Sequence, residues 1–544
     1  MRLTASTAAA FAALGLSVPL GAQTEQPAPP AQPARHAKTA EPTRESLEAA
    51  WQAAYEKKDY EAAVKGLNDL VQFAPGDPIV RYNLACVNAQ RGDIDGCELA
   101  LRKCIELGFT DFPRMLAEPD LAPVRDGVVL RAVRTGWREL QDTGIDYRLQ
   151  QFKRTLTVKN QTAEQRGYQI EKDPGLRLAF VSGFSKDGHA ETKRELQLVT
   201  DYWRNNVLPP DAQGNPAPAV IADGAMPDPW VLVFLPNAVD FQSWAMSTLG
   251  ARADRVGGLY DNWKQQLVAR DLGPTLRHEF WHALHWRHMS RIGQVHPMWM
   301  QEGLCSLIED VDLIEDKGIA GSTRVVPVVS WRINMCKRMV KTNLLPKLSV
   351  LMTMDEKSYM GSRALGNYAA SRAFFLWLAS QPSPSAAKKD AIEKQQSQPT
   401  LLRDWYAGFI ADYPTDPTGK TTTERLLGRK LDQLDKDFRA WIQSQPDVGE
   451  QNTPGLPTLP CDMQPVGGEG MVVINASSDP RDMLKNPLMA GDVIVSVDGH
   501  AVRDQTELAR LLGTPAFKPG QQVTLKVRRD GRPFEVKVKL GRYE

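Results

Sequence analysis

The stretch His278-Glu279-Phe280-Trp281-His282 constrains this chain more than any other. On a helix, which turns about once every 3.6 residues, histidines four residues apart share a face and lie one turn from each other. Both imidazoles can then reach one cation, with Glu279 beside them as a base. Two unrelated histidines on an ordinary helix would spell the same letters. The surroundings argue for more, because five of the eight histidines fall between 278 and 296. A carboxylate, Glu302, opens a second apolar-periodic stretch (HPMWMQEGLCSLIED) 20 residues after His282. A helix-turn-helix of that length can fold it back onto the pair. Two histidines and a glutamate, with one position left open, are a ligand set for one catalytic zinc ion. His288 competes for third place, ten residues after His278. That arrangement needs a glycine where this chain has His285, and His285-Trp286 favours a continuing helix. Glu302 is therefore the expected third ligand.

The chain has 544 residues, enough for several domains. Its 66 basic and 65 acidic residues balance, so charge gives no case for binding nucleic acid or an anionic membrane surface. Residues 1–22 read as a signal peptide: Arg2, an uncharged run from Ala8 to Val18, then small residues at Gly21-Ala22. This predicts a periplasmic or secreted protein. No other run of about 20 apolar residues exists, so no membrane span is expected after signal removal. Residues 23–43 are rich in Pro, Ala, Gln and Thr and predict a flexible linker. The six cysteines form no CxxC pair. Cys305 and Cys336 could form a bridge in an oxidising compartment.

Residues 44–141 contain an internal repeat. Asp59, Ala63, Leu67 and Leu70 are matched 34 residues later by Asp93, Cys97, Leu101 and Cys104. Each copy predicts two helices joined at a Lys-Asp or Gly-Asp turn. The period resembles that of the tetratricopeptide repeat, which implies a protein-binding or bracing role. Residues 113–141 predict a further helical cap.

Residues 147–445 mix elements. LRLAF (176–180) and WVLVFLP (230–236) predict buried strands, and 191–207 an amphipathic helix. Residues 256–270 predict a strand or hairpin, and 276–290, 299–309, 364–380 and 431–444 predict helices. Residues 383–399 read as a polar loop. The stretch TLRHEFWHALH…HPMWMQEGLCSLIE resembles the gluzincin peptidases, specifically the peptidase MA-like group that includes aminopeptidase N relatives. Trp299, Glu302 and Gly303 match that group's Trp-x-x-Glu-Gly phrase. The resemblance implies a zincin-like (thermolysin-like) α+β domain with His278, His282 and Glu302 on zinc and Glu279 as the catalytic base. It also implies an oxyanion donor: Tyr368, in GNYAASR, with Tyr359 as second choice. A buried aromatic residue with a backbone partner would look the same. The Gly-Ala-Met-Glu-Asn type of phrase that grips a free N-terminus is not evident, which favours an endopeptidase.

Residues 446–460 read as a Pro- and Gly-rich linker. In 461–544, GMVVINAS, GDVIVSVDG, QVTLKVRR and PFEVKVKL predict short strands around one helix, TELARLLG. With AGDVIVSVDGHAV, this order resembles a PDZ domain of the bacterial periplasmic protease kind. That implies a small β-rich domain capturing a peptide through backbone amides near Gly470 and Met471. The whole is expected to be a multidomain α+β zinc metallopeptidase acting on peptides or proteins. The alternative is an envelope scaffold or chaperone that keeps a structural zinc site. A zinc hydrolase acting on a non-peptide amide is a weaker third.

Overall fold

A computed structural model describes residues 43–211, 217–249, 256–315, 323–382, 400–450, 453–465, 470–476, 488–529 and 531–543. The signal and linker expectations lie outside these residues, except for Thr43, as does the polar loop 383–399. The chain is multidomain α+β, and its two compact units divide between Tyr147 and Arg148.

The first unit is helical. Helices α1 (Arg44–Glu56) and α2 (Tyr60–Phe73) form one pair, and α3 (Pro78–Arg91) and α4 (Ile94–Glu106) the next. The repeat is readable in side chains. Asp59 and Asp93 cap α2 and α4, accepting from the N–H of Ala62 and Gly96. The matched positions Ala63, Leu67, Leu70, Cys97, Leu101 and Cys104 are all buried. Helix α5 (Phe112–Ala117) precedes α6 (Val128–Thr155), which continues past the expected end at residue 141 and carries a non-helical kink at Gly136.

The second unit holds a five-stranded sheet: β1 (Gln169–Asp173), β2 (Leu178–Ser182), β3 (Val231–Leu235), β4 (Gly258–Asp261) and β5 (Gln266–Ala269). Its order is β1-β2-β3-β5-β4. The inner strands β2, β3 and β5 are parallel, and β1 and β4 run antiparallel at the edges. Every residue of β2 and β3 is buried, which explains their unbroken apolar sequences. Helices α7 (Lys186–Asn206) and α8 (Ala238–Leu249) follow β2 and β3.

Next come α9 (Pro274–Ile292) and α10 (Met298–Leu307), then the hairpin β6 (Val311–Glu315) and β7 (Thr323–Pro327). Helix α9 starts on a proline at its first turn and stops at Gly293, whose φ of 65° is left-handed. The remaining helices are α11 (Trp331–Lys341), α12 (Leu348–Leu351), α13 (Glu356–Tyr359), α14 (Ala364–Ala379), α15 (Leu401–Asp412), α16 (Lys420–Leu427) and α17 (Leu431–Ser444). One apolar core runs from the sheet through α9, α10 and α14 to α17.

The C-terminal part begins with β8 (Pro457–Thr458), β9 (Cys461–Pro465), β10 (Met471–Ala476), β11 (Val493–Val497) and β12 (His500–Ala501). Helix α18 (Gln505–Leu512) follows, then β13 (Gln522–Arg529), β14 (Arg532–Lys539) and β15 (Gly541–Arg542). The main sheet runs β14-β13-β11-β10-β9 and encloses its own apolar core. Parts of the expected linker 446–460 make specific contacts. Asn334 binds Val448 and Glu450, and β8 pairs with β15. All six thiols are free, so the Cys305–Cys336 bridge is not formed. No helix among the described residues is long and apolar enough to cross a membrane.

Candidate metal centre

Helix α9 is buried on all sides from Leu276 to Met289, yet it carries seven ionisable side chains in that span. Each must find a partner, since an unpaired buried charge costs several kcal/mol (about that much per ion). Arg287 donates to the carbonyls of Leu176, Arg177 and Pro229 at strand ends. His285 Nε2 pairs with His296 Nδ1 at 2.7 Å, and His288 Nδ1 with the Tyr406 hydroxyl at 2.9 Å. Burial depresses all three imidazoles, His288 and His296 to about 3, so they are neutral. They form an aromatic cluster with Trp203 and Tyr406. His288 is thus engaged away from the metal-type cluster, and none of the three lies on the surface.

His278, His282 and Glu279 remain, and they meet Glu302 from α10. The two histidine Nε2 atoms are 3.2 Å apart. Glu302 Oε2 lies 3.3 Å from His278 Nε2, and Oε1 lies 3.7 Å from His282 Nε2. Ligands held about 2.0–2.1 Å from a tetrahedral zinc ion are separated by about 3.3 Å. Both Glu302 oxygens are fully buried and neither has a hydrogen-bond partner. Burial alone would raise the Glu302 pKa, but the two imidazoles outweigh it and hold it at about 2. A set of two nitrogens and a buried, ionised, unsatisfied carboxylate fits a divalent cation. Cys305, one helical turn beyond Glu302, also turns inward. Its Sγ and the two histidine donors lie within 4.8 Å of one another.

Glycines permit these approaches. A Cβ at Gly303 would sit 2.7 Å from the Phe375 ring and 2.8 Å from Ser371 Cβ, so α10 packs flush against α14. Trp299 stacks on Phe375 at 5.3 Å. A Cβ at Gly258 would sit 3.2 Å from Glu279 Cγ, so edge strand β4 lies directly over Glu279. There the Tyr260 N–H donates to Glu279 Oε2 at 2.7 Å, leaving Oε1 without a partner. Burial raises the Glu279 pKa despite the neighbouring histidines.

Tyr368, on α14, is buried. Burial, then the charge of Glu302, raises its hydroxyl pKa, and the hydroxyl donates to Met360 Sδ at 3.6 Å. The Tyr359 hydroxyl is instead committed to Ser371 Oγ at 3.1 Å. Sequence reasoning missed Glu309 and Arg332. Glu309 Oε1 is 2.8 Å from His278 Nδ1, so Nδ1 donates to that carboxylate and Nε2 is the nitrogen turned toward Glu302. Buried Arg332 grips the same carboxylate through Nε and Nη2 at 2.7–3.1 Å. Glu309 lies just past the end of α10, seven residues after Glu302. No local signal marks Arg332.

In the C-terminal sheet, β10 is paired on both sides, with Met471 opposite Ile494 and Pro465. Met471 is buried, and a Cβ on Gly470 would strike the Ile494 carbonyl at 2.2 Å. An added peptide cannot pair along β10. Among the described residues the two ends of this strand path are β9 and β14.

No curated protein sequence matches the chain. Among solved structures, it is similar to the HtrA-type protease AlgW with a decapeptide, at 20% identity over 21% of this chain and 35% of that one, TM-score 0.15. A point variant of the same protease, also with a decapeptide, matches at 18% identity with the same coverage and score. This chain thus spans about a third of those proteases. An aminopeptidase N family protein from Idiomarina loihiensis is similar at 11% identity over 69% of this chain and 67% of that one, TM-score 0.25. The PDZ domain family matches residues 450–540, and the C-terminal part of the chain is a PDZ domain.

Proposed function

We propose that the chain is an exported zinc-dependent peptidase, acting as an endopeptidase. One observation carries this reading: the fully buried Glu302 carboxylate has no hydrogen-bond partner, and it lies 3.3 Å and 3.7 Å from two histidine Nε2 atoms. His278, His282 and Glu302 would hold the ion. When bound, zinc supplies Lewis acidity and lowers the pKa of a water in its open position to about 7. Glu279, anchored by the Tyr260 N–H through Oε2, takes the proton of the attacking water on Oε1 and passes it to the leaving amine. Tyr368 would donate to the developing oxyanion. The PDZ domain captures a substrate or partner peptide by strand addition. The N-terminal helical pairs serve as a protein-binding or bracing module. The test is zinc content together with cleavage of an unfolded protein by wild type and Glu279→Gln. Zinc retained with cleavage abolished supports the mechanism, and unchanged cleavage rejects it.

Cys305 favours a second reading, a scaffold with a structural zinc site, because its thiol lies within reach of the histidine pair. A fourth protein ligand would close the position that water needs. Cobalt substitution separates the two. A thiolate-to-cobalt charge-transfer band, lost in Cys305→Ala, supports the scaffold; its absence supports the peptidase.

A further inference from the structure

Arg277 immediately precedes the first histidine ligand. Its Nε donates to the Ile308 carbonyl at 2.9 Å, and its guanidinium also binds the Glu309 carbonyl. It therefore holds the backbone from which the Glu309 carboxylate reaches His278. Arg277 is itself held by two carboxylates: Glu195 on α7, and Glu507 on PDZ helix α18 at 3.4 Å. Glu195 Oε1 also accepts from Arg503 of the PDZ domain at 2.8 Å. The Arg503 backbone N–H in turn donates to Glu507 Oε2 at 3.0 Å.

These four side chains are all buried: Arg277 is 1% exposed, Glu195 3%, Arg503 8% and Glu507 9%. A domain contact needs no buried charges to be stable, and apolar groups would do as well or better. Two alternating cations and anions instead specify one geometry. The contact also meets the ligand-bearing helix end-on. Gly273 caps α9 without a side chain, and a Cβ there would lie 3.1 Å from Asp504 Oδ2 and 3.6 Å from Glu507 Oε1. Two PDZ carboxylates thus stand at the positive end of the α9 dipole. At the rim of the same contact, Arg510 binds Asp312 at 2.9 Å and the Val311 carbonyl at 3.3 Å.

We infer that Arg503 and Glu507 of the PDZ domain are positioning residues for the metal centre. With Glu195 they fix Arg277, and through it the Glu309 carboxylate that orients His278. The PDZ domain is then part of the support of the site as well as a peptide-binding module. This inference rests on the zinc reading above.

The test is zinc affinity by chelator competition and the cobalt absorption spectrum, on the full chain. Arg503→Met and the near-isosteric Glu507→Gln are compared with the rim variant Arg510→Ala. Loss of hydrogen bonds around a metal-binding histidine weakens metal binding by about 10–100-fold. A drop of roughly 10-fold, at the lower end of that range, is expected for Arg503→Met and Glu507→Gln, with a shifted cobalt spectrum. Arg503→Lys should recover part of the loss, and Arg510→Ala should bind like wild type. If Arg503→Met does not fold, Glu507→Gln decides alone. Affinity within twofold of wild type in both network variants would overturn the inference, as would an equal loss in Arg510→Ala. A wild-type chain that binds no zinc rejects the metal reading itself, before any variant is made.

Discussion

The His278 Nδ1 atom lies 2.8 Å from Glu309 Oε1, and that carboxylate is held from its far side by Arg332. The pairing orients the ring and aims Nε2 at Glu302. A carboxylate behind a metal-binding imidazole also strengthens it as a ligand. Glu309→Gln keeps the shape and loses the charge. Zinc affinity should fall about 10–100-fold, and the melting temperature should fall with it, because buried Arg332 loses its paired anion. Chelator competition reads this directly, and an unchanged dissociation constant would remove Glu309 from the site.

Gly303 has no space for a methyl group. A Cβ would stand 2.7 Å from the Phe375 ring and 2.8 Å from Ser371. Gly303→Ala should cost about 1–3 kcal/mol by overpacking and push α10 away from α14. Since Glu302 is the preceding residue, zinc content should drop as well. Urea denaturation and metal analysis give the two readouts. Full stability with full zinc would show that α14 can yield.

Tyr368→Phe removes one hydroxyl without opening a cavity. If it serves the oxyanion, kcat should fall about 100–1000-fold while KM and zinc content hold. Tyr359→Phe is the control, since that hydroxyl is committed to Ser371. Reversed effects would hand the role to Tyr359.

Burial depresses His288 to about 3, far below the ~6.5 of a free imidazole. As pH falls below about 6.5, the unfolded chain takes up this proton and the folded chain does not. The contribution of His288 to stability is therefore complete above that pH and is lost from there towards pH 3. The slope is about 1.4 kcal/mol per pH unit. His288→Gln cannot titrate. Between pH 6.5 and 4.5, wild type should lose about 2–3 kcal/mol more than the variant, read from urea midpoints. Parallel acid profiles would mean that His288 is protonated in the fold.

The local pattern reached far in this chain. Apolar runs marked β2 and β3, because strands covered on both faces need no polar alternation. The repeat marked α1 to α4, since the same small and apolar positions recur where paired helices touch. Short strand β9 escaped notice, and with it one end of the PDZ strand path. Its five residues, CDMQP, show no alternation and end on a proline.

By itself, the sequence determined which side chains could share a face. Residues 278 and 282 lie one helical turn apart, 302 opens the next helix, and the glycine after it permits close packing. Those are local matters of helical period and steric size. Only the tertiary structure decided which remaining charges would support them. Arg332, Glu195 and Arg503 come from distant parts of the chain, and their partners are set by where helices cross. Burial likewise separated the histidines, leaving 278 and 282 facing a bare carboxylate while 285, 288 and 296 pair among neutral neighbours. A buried charge needs a partner, but the sequence does not say from which element that partner comes.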